Sequence, residues 1–132
     1  MYLVICVYNI IQFGEGNFLR AFAEYYIQTA KNNGVAYYSL AICQPRKNNK
    51  VISALKMQDN KYNVLIRGRR NGEIINDVMH IDCVDKCIDT TTELGFLKSA
   101  FVSNDLKIVI SNTTEAGIAY SCLLYTSDAA DD

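Results

Sequence analysis

The sequence predicts an α/β fold, a mostly parallel sheet with flanking helices. Three observations predict it. Two short apolar runs, Tyr8 to Phe13 and Val35 to Cys43, flank a stretch of helical periodicity. Their short connections make a strand–helix–strand unit, whose crossover is right-handed. A further apolar run, "LKIVISN" from Leu106 to Asn112, has the same character, and strands buried on both faces read as continuous apolar runs.

The first strand, Tyr8 to Phe13, is closed by Gly14. A helix is expected from about Asn17 to Asn32, with Phe18, Phe22, Tyr25, Tyr26 and Ala30 as its buried face. "KNNG" stops it, with Gly34 as a left-handed cap. The second strand, Val35 to Cys43, is ended by Pro45. "RKNNK" reads as a solvated loop and "VISALKM" as a short helical turn. "YNVLIRG" and "EIINDVMHIDCV" flank "RRNG", and Asn71-Gly72 marks an inserted β-hairpin because both turn residues need positive φ. "TTTELGFLKSAF" opens a helix, with Thr90 or Thr91 as cap and Glu93 in its first turn. The strand from Leu106 to Asn112 follows, and "TTEAG" leaves it. There are no internal repeats and no Pro/Gly/Ser-rich linker.

The 132 residues fit one domain. Residues 1–121 read as a truncated Rossmann-like domain. "CLLYTSDAADD", residues 122–132, continues no earlier pattern, resembles the read-through of a sequencing adapter, and reads as a non-native tail. A net charge of −1 gives no electrostatic case for nucleic acid or an acidic membrane as partner. The apolar start lacks a basic region and a cleavage site, and is too short to span a bilayer. Five scattered cysteines without a C-x-x-C pair point to buried free thiols in a reducing compartment, the cytoplasm. Cys83, Cys87 and the single histidine, His80, leave a zinc site short of ligands, so no metal is expected.

"IIQFGEGNFLRAF", Ile10 to Phe22, carries the chemistry. A dinucleotide turn needs a tight exit from the strand, which Gly14 permits, and close backbone approach to the pyrophosphate, which Gly16 permits. The next helix must then aim its free N–H groups and positive dipole end at the phosphates. Leu19 stands where the usual signature has a third glycine, which serves helix–strand packing rather than phosphate contact. Arg20 can contact phosphate or tie down a neighbouring loop. The competing reading is a plain strand–helix corner whose glycines only turn the chain.

The acid expected at the end of the second strand is missing from "ICQPRKNN". Gln44 can hydrogen-bond ribose hydroxyls instead. Arg46 can meet a 2′-phosphate, or Arg46 and Lys47 are solvated loop charge. "SNTTEAG", Ser111 to Gly117, follows a buried strand, where ligands of open α/β sheets sit. Helix capping by Asn112 or Thr113, with Glu115 in the first turn, is the alternative.

"IIQFGEGNFLRAF" and "IVISNTTEAGIAY" together resemble the N-terminal domain of the mannitol dehydrogenase family of long-chain polyol dehydrogenases. The resemblance covers roughly Tyr8 to Tyr120 and is carried by Gly14, Gly16, Phe18, Arg20 and Ala21. It is nearer the tagaturonate reductase (altronate oxidoreductase) branch than the mannitol or fructuronate branches. It implies an NAD cofactor and reversible hydride transfer between NADH and a hexuronate-derived sugar acid, tagaturonate or altronate. The implied cofactor residues are Ile11, Gln12, Phe13, Gly14, Glu15, Gly16, Asn17, Phe18, Leu19, Arg20 and Ala21, with Asn112, Thr113, Thr114 and Glu115 beside the nicotinamide. The family's catalytic lysine, asparagine and histidine lie in a C-terminal helical domain that also binds the substrate. The chain is therefore expected to hold no catalytic residue and to be inactive alone. A non-catalytic nucleotide-binding module and a bare α/β fold are the other readings.

Overall fold

The structure, a computed structural model, describes residues 8–113. Its elements are β1 (Ile10–Phe13), α1 (Asn17–Asn32), β2 (Leu40–Gln44), α2 (Lys50–Met57), β3 (Tyr62–Arg70), β4 (Glu73–Ile81), β5 (Val84–Asp89), α3 (Leu94–Val102) and β6 (Ile108–Ser111). Four strands form a parallel sheet in the order β5-β2-β1-β6, and β3 pairs with β4 in an antiparallel hairpin.

The chain steps one way across the sheet from β1 through β2 to β5, then jumps back to β6 beside β1. Right-handed crossovers force the helices of the two directions onto opposite faces. Ile27 of α1 and Ile52 and Leu55 of α2 accordingly pack with Ile10, Leu40, Ile42 and Cys87. Leu97 and Ala100 of α3 pack on the other face with Ile11, Ala41, Cys43 and Ile88. This is the doubly wound, Rossmann-like arrangement the sequence predicts. At the amino end, Asn9 clamps three segments: its Oδ1 accepts the Ser39 N–H at 3.0 Å and its Nδ2 donates to the Asp105 carbonyl at 3.1 Å.

The hairpin turns at Asn71 and Gly72, whose φ values of 53° and 82° suit the primed turn. Tyr62, Val64, Met79 and Ile81 lay its inner side against the α1–α2 core.

Several expectations change. The second strand begins at Leu40, not Val35, and Val35 and Tyr37 are exposed. "VISALKM" lies in an eight-residue helix. The run "EIINDVMHIDCV" divides: β4 ends at Ile81, and β5 is a separate parallel strand that the apolar pattern hid, because Asp85, Lys86 and Asp89 interrupt it. β5 tolerates them at the sheet edge, where the Asp85 carboxylate accepts the Leu40 N–H at 3.0 Å. Neither Thr90 nor Thr91 caps α3, whose cap residue is Glu93 without a side-chain cap bond. The Thr90 hydroxyl donates to the Gln44 carbonyl at 2.6 Å. The Thr91 N–H and hydroxyl both bond the Asp89 carboxylate.

The expected buried face of α1 is also wrong. Phe18, Phe22 and Tyr26 are 62%, 52% and 61% exposed along the outer side, Phe18 stacked on Phe22 and Phe22 meeting Tyr26 edge-on. Leu19, Glu24 and Gln28 are the buried residues. Cys43, Cys83 and Cys87 are free and buried, and burial pushes each thiol up to about 12, so they are protonated and inert at neutral pH. Cys6, Cys122 and the tail 122–132 lie outside the described residues.

Candidate functional site

Because the sheet is parallel, Phe13, Gln44, Asp89 and Ser111 all end at one edge. Ligands of open α/β sheets sit beyond this edge, where the strand order reverses. Here the reversal falls between β1 and β6. The chain leaves β1 at that point through Gly14-Glu15-Gly16 and enters α1 at Asn17.

Gly14 has φ +122°, a conformation that side chains rarely adopt. Its N–H still donates to the Cys43 carbonyl at 2.9 Å. A Cβ on Gly14 would lie 3.4 Å from Leu19 Cδ1, so Leu19 is seated directly over the turn. Gly16 is different: its φ of −69° is ordinary, and a Cβ there would meet nothing within 4 Å. The space in front of Gly16 is open, which fits the close approach of a ligand. As the residue capping α1, Gly16 has no side chain to bond the first-turn N–H groups, and such groups bind anions.

Arg20 ties the turn down. Its Nε donates to the Glu15 carbonyl at 2.8 Å and its Nη2 to Asn17 Oδ1 at 2.6 Å. Its guanidinium also lies 5.5 Å from the centre of the Tyr62 ring, whose hydroxyl donates to the Arg20 carbonyl at 2.9 Å. A groove of about 220 Å³ runs beside the turn, between Asn17, Arg20 and Ala21 of α1 and Tyr62 to Leu65 of the hairpin.

The other expected residues divide by face. Ile11 points into the α3-side core, and Phe13 stacks on Phe101 at 6.0 Å. Phe18 and Ala21 face outward. Gln12 is wholly buried on the α1 side, with its Nε2 donating to the Gly14 carbonyl at 3.0 Å. Asn112 and Thr113 are exposed just beyond Ser111, which is in register with Phe13. Thr114 and Glu115 lie outside the described residues.

Gln44 is buried and its amide donates to the Arg46 carbonyl, so it turns back on its own chain. The neighbouring Asp89 is held below the usual carboxylate range by the Thr91 hydroxyl and amide. Arg46 and Lys47 are exposed. Lys86 lies 3.9 Å from the centre of the Phe96 ring and pairs with Glu93, and His80 Nδ1 bonds Asn63.

Sequence reasoning missed Glu24. Its carboxyl is fully buried in α1 and neither oxygen has a hydrogen-bond partner. Burial pushes it up to about 7, against the opposing pull of its own backbone, the Gln12 amide and the Arg20 charge. The available signal was its place one turn beyond Arg20, which only the correct rotation of α1 makes inward.

A doubly wound sheet with a glycine turn at its switch point defines a Rossmann domain. Residues 8–127 match the mannitol dehydrogenase Rossmann domain, and the chain belongs to that family. It is 39% identical over 110 residues to the altronate oxidoreductase of Bacillus subtilis (strain 168), covering 83% of this chain and 23% of the relative. It is 35% identical over 121 residues to the altronate oxidoreductase of Bacteroides thetaiotaomicron, covering 92% and 25%. The chain thus spans about a quarter of the length of these relatives. Among solved structures it resembles Pseudomonas fluorescens mannitol 2-dehydrogenase in a ternary complex with NAD and D-mannitol, with a TM-score of 0.72 and 23% identity over 83% of this chain and 22% of that one. A D-sorbitol dehydrogenase gives a TM-score of 0.68 at 18% identity, over 82% and 22%. No helix among the described residues is long and apolar enough to cross a membrane.

Proposed function

We propose that the chain is the NAD-binding N-terminal part of a bacterial cytoplasmic oxidoreductase. The reaction is hydride transfer between NAD(H) and a hexuronate-derived sugar acid, tagaturonate or altronate. The observation that carries the reading is the glycine turn at the switch point, with open space before Gly16 and uncapped N–H groups behind it. The altronate oxidoreductase relatives support the substrate class.

In this reading the backbone from Gly14 to Leu19 cradles the pyrophosphate, and Arg20 keeps that backbone in shape by gripping Glu15 and Asn17. Asn112, Thr113, Thr114 and Glu115 border the nicotinamide. Bound NAD supplies the hydride acceptor. The proton-transferring lysine belongs to the rest of the protein, so the 132-residue chain binds cofactor without turning over substrate.

Two measurements test this. NADH fluorescence titration is expected to show binding by the wild-type chain and at least a tenfold loss in Gly16→Leu, whose side chain fills the open space, on the scale of about 1.4 kcal/mol. Equal binding by both, or none by wild type, sinks the pyrophosphate assignment. Incubating the purified chain with NADH and tagaturonate is expected to give no turnover, and measurable reduction would place catalytic groups within this chain.

A further inference from the structure

Two uncovered apolar surfaces lie side by side on the α1 face of the sheet. The first is the flank of α1 that carries Phe18, Phe22 and Tyr26, all exposed. Helix geometry shows where it looks. Residues two apart lie about 200° apart around a helix, so Tyr26 points away from Gln28. The Gln28 side chain faces the β5 side, where it bonds both the carboxylate and the N–H of Asp82, just before that strand. In the sheet order β5-β2-β1-β6, the opposite flank looks toward β6. The second surface is the α1-side face of β6. Strand residues alternate between faces. Ile110 packs against the α1-side core, so Ile108 lies on the same face, and it is 43% exposed. Its register partner on β1, Ile10, is 1% exposed. Among the described residues, cover on this side therefore stops between β1 and β6.

Parallel strands occur with both faces covered, and β6, "IVIS", carries no charge. The winding of the sheet does not supply the cover. The crossover from β5 to β6 runs through α3 on the other face. Right-handed crossovers put any further helix wound outward past β6 on that same face. The α1-side face over β6 is left for a part of the protein outside this winding. The chain spans about a quarter of the length of its altronate oxidoreductase relatives, and the rest of such a protein is long enough to supply it.

We propose that this face is a dock within the longer protein: an apolar helix from the remainder of that protein lies along β6 beside α1, packed on Phe22, Tyr26 and Ile108. A helix suits the place because helices cover parallel sheets in layers, about 8–10 Å from one another. The aromatic flank gives it a side wall, and β6 gives it a floor. The flank starts at Phe18, beside the glycine turn, so docking there holds the rest of the protein next to the proposed cofactor. This rests on the reading above that the chain is one part of a longer oxidoreductase.

The test compares two proteins. One is the purified 132-residue chain. The other is full-length Bacillus subtilis altronate oxidoreductase with the matched stretch of 110 residues replaced by that of this chain. Hydroxyl-radical oxidation, read by mass spectrometry at Phe22 and Tyr26, is expected to be fast in the short chain and several-fold slower in the full-length protein. Phe22→Ser combined with Tyr26→Ser is expected to leave the urea midpoint of the short chain nearly unchanged and to lower the melting temperature of the full-length protein. Equal oxidation in the two proteins overturns the proposal. Slow oxidation already in the short chain overturns it too: a second copy is the cover if the rate falls with protein concentration, and the chain's own ends are if it does not. A large loss of stability in the short-chain double variant overturns it without recourse to the full-length protein, because the flank would then belong to this domain's own core. Tagaturonate reduction by the short chain alone strikes the longer-protein reading instead, and the oxidation rates still decide whether the face is covered.

Discussion

β2 and β6 look alike in sequence and differ in the folded chain. "LAICQ" and "IVIS" are both short apolar strands that pair in parallel with β1. Every residue of β2 is buried, because β1 and β5 flank it and helices cover both faces. β6, expected to be buried too, leaves Ile108 and Val109 largely exposed, because among the described residues only β1 pairs with it. Hydropathy sets the kind of element, and neighbours set its burial. The two strands should therefore respond very differently to the same loss of side-chain volume.

The largest effect is expected at the centre of β2. Ile42 is fully buried between α1, α2 and the β1 and β5 strands. Ile42→Ala should cost about 3 kcal/mol, from lost burial plus the cavity left behind, measured by urea unfolding. A loss below about 1 kcal/mol would mean that this core collapses around the gap and that β2 is less constrained than its position implies.

The next effect comes from a polar group in the same layer. Glu24 has its folded pKa raised from 4.5 to about 7. The folded chain therefore holds a proton that the unfolded chain releases between these values. The associated stability is fully present below pH 4.5 and is lost as pH rises to about 7, about 3 kcal/mol in all. Glu24→Gln should abolish that decline and be the more stable protein at about pH 8. Asp82 and Glu93, with lowered values, lose their stabilisation only as pH falls through the acid range, so the windows separate. Parallel pH–stability curves for wild type and Glu24→Gln would show that Glu24 is solvated and ionised in the folded chain.

The same distinction explains what the sequence did and did not reveal. The strand–helix–strand unit, the Asn71-Gly72 turn and the Gly14–Gly16 exit were readable because each rests on local chemistry: periodicity, a positive φ or a missing Cβ. β5 was not readable, since its polar residues are stabilised by contacts distant in sequence, such as Asp85 with Leu40. The rotation of α1 was not readable either. Phe18, Phe22 and Tyr26 form one stripe, while Leu19, Ala23 and Ile27 form another one position further on. The packing of Leu19 over Gly14 chooses between them. Taking the aromatic stripe as the buried face left the burial of Glu24 unread.

The smallest effect belongs to β6. Val109 is 51% exposed, so Val109→Ala removes little buried surface and should change stability by about 0.5 kcal/mol or less. Alanine also has the lower strand propensity, which sets the sign as slightly destabilising. The measurement is urea unfolding of the 132-residue chain at two protein concentrations. A loss near that of Ile42→Ala would mean that the exposed β6 surface is covered in solution. If that loss grew with protein concentration, the cover would be a second copy of the chain, because binding that favours the folded state stabilises in proportion to the partner available. A small loss at both concentrations would leave β2 and β6 separated by their neighbours alone, as the sheet order requires.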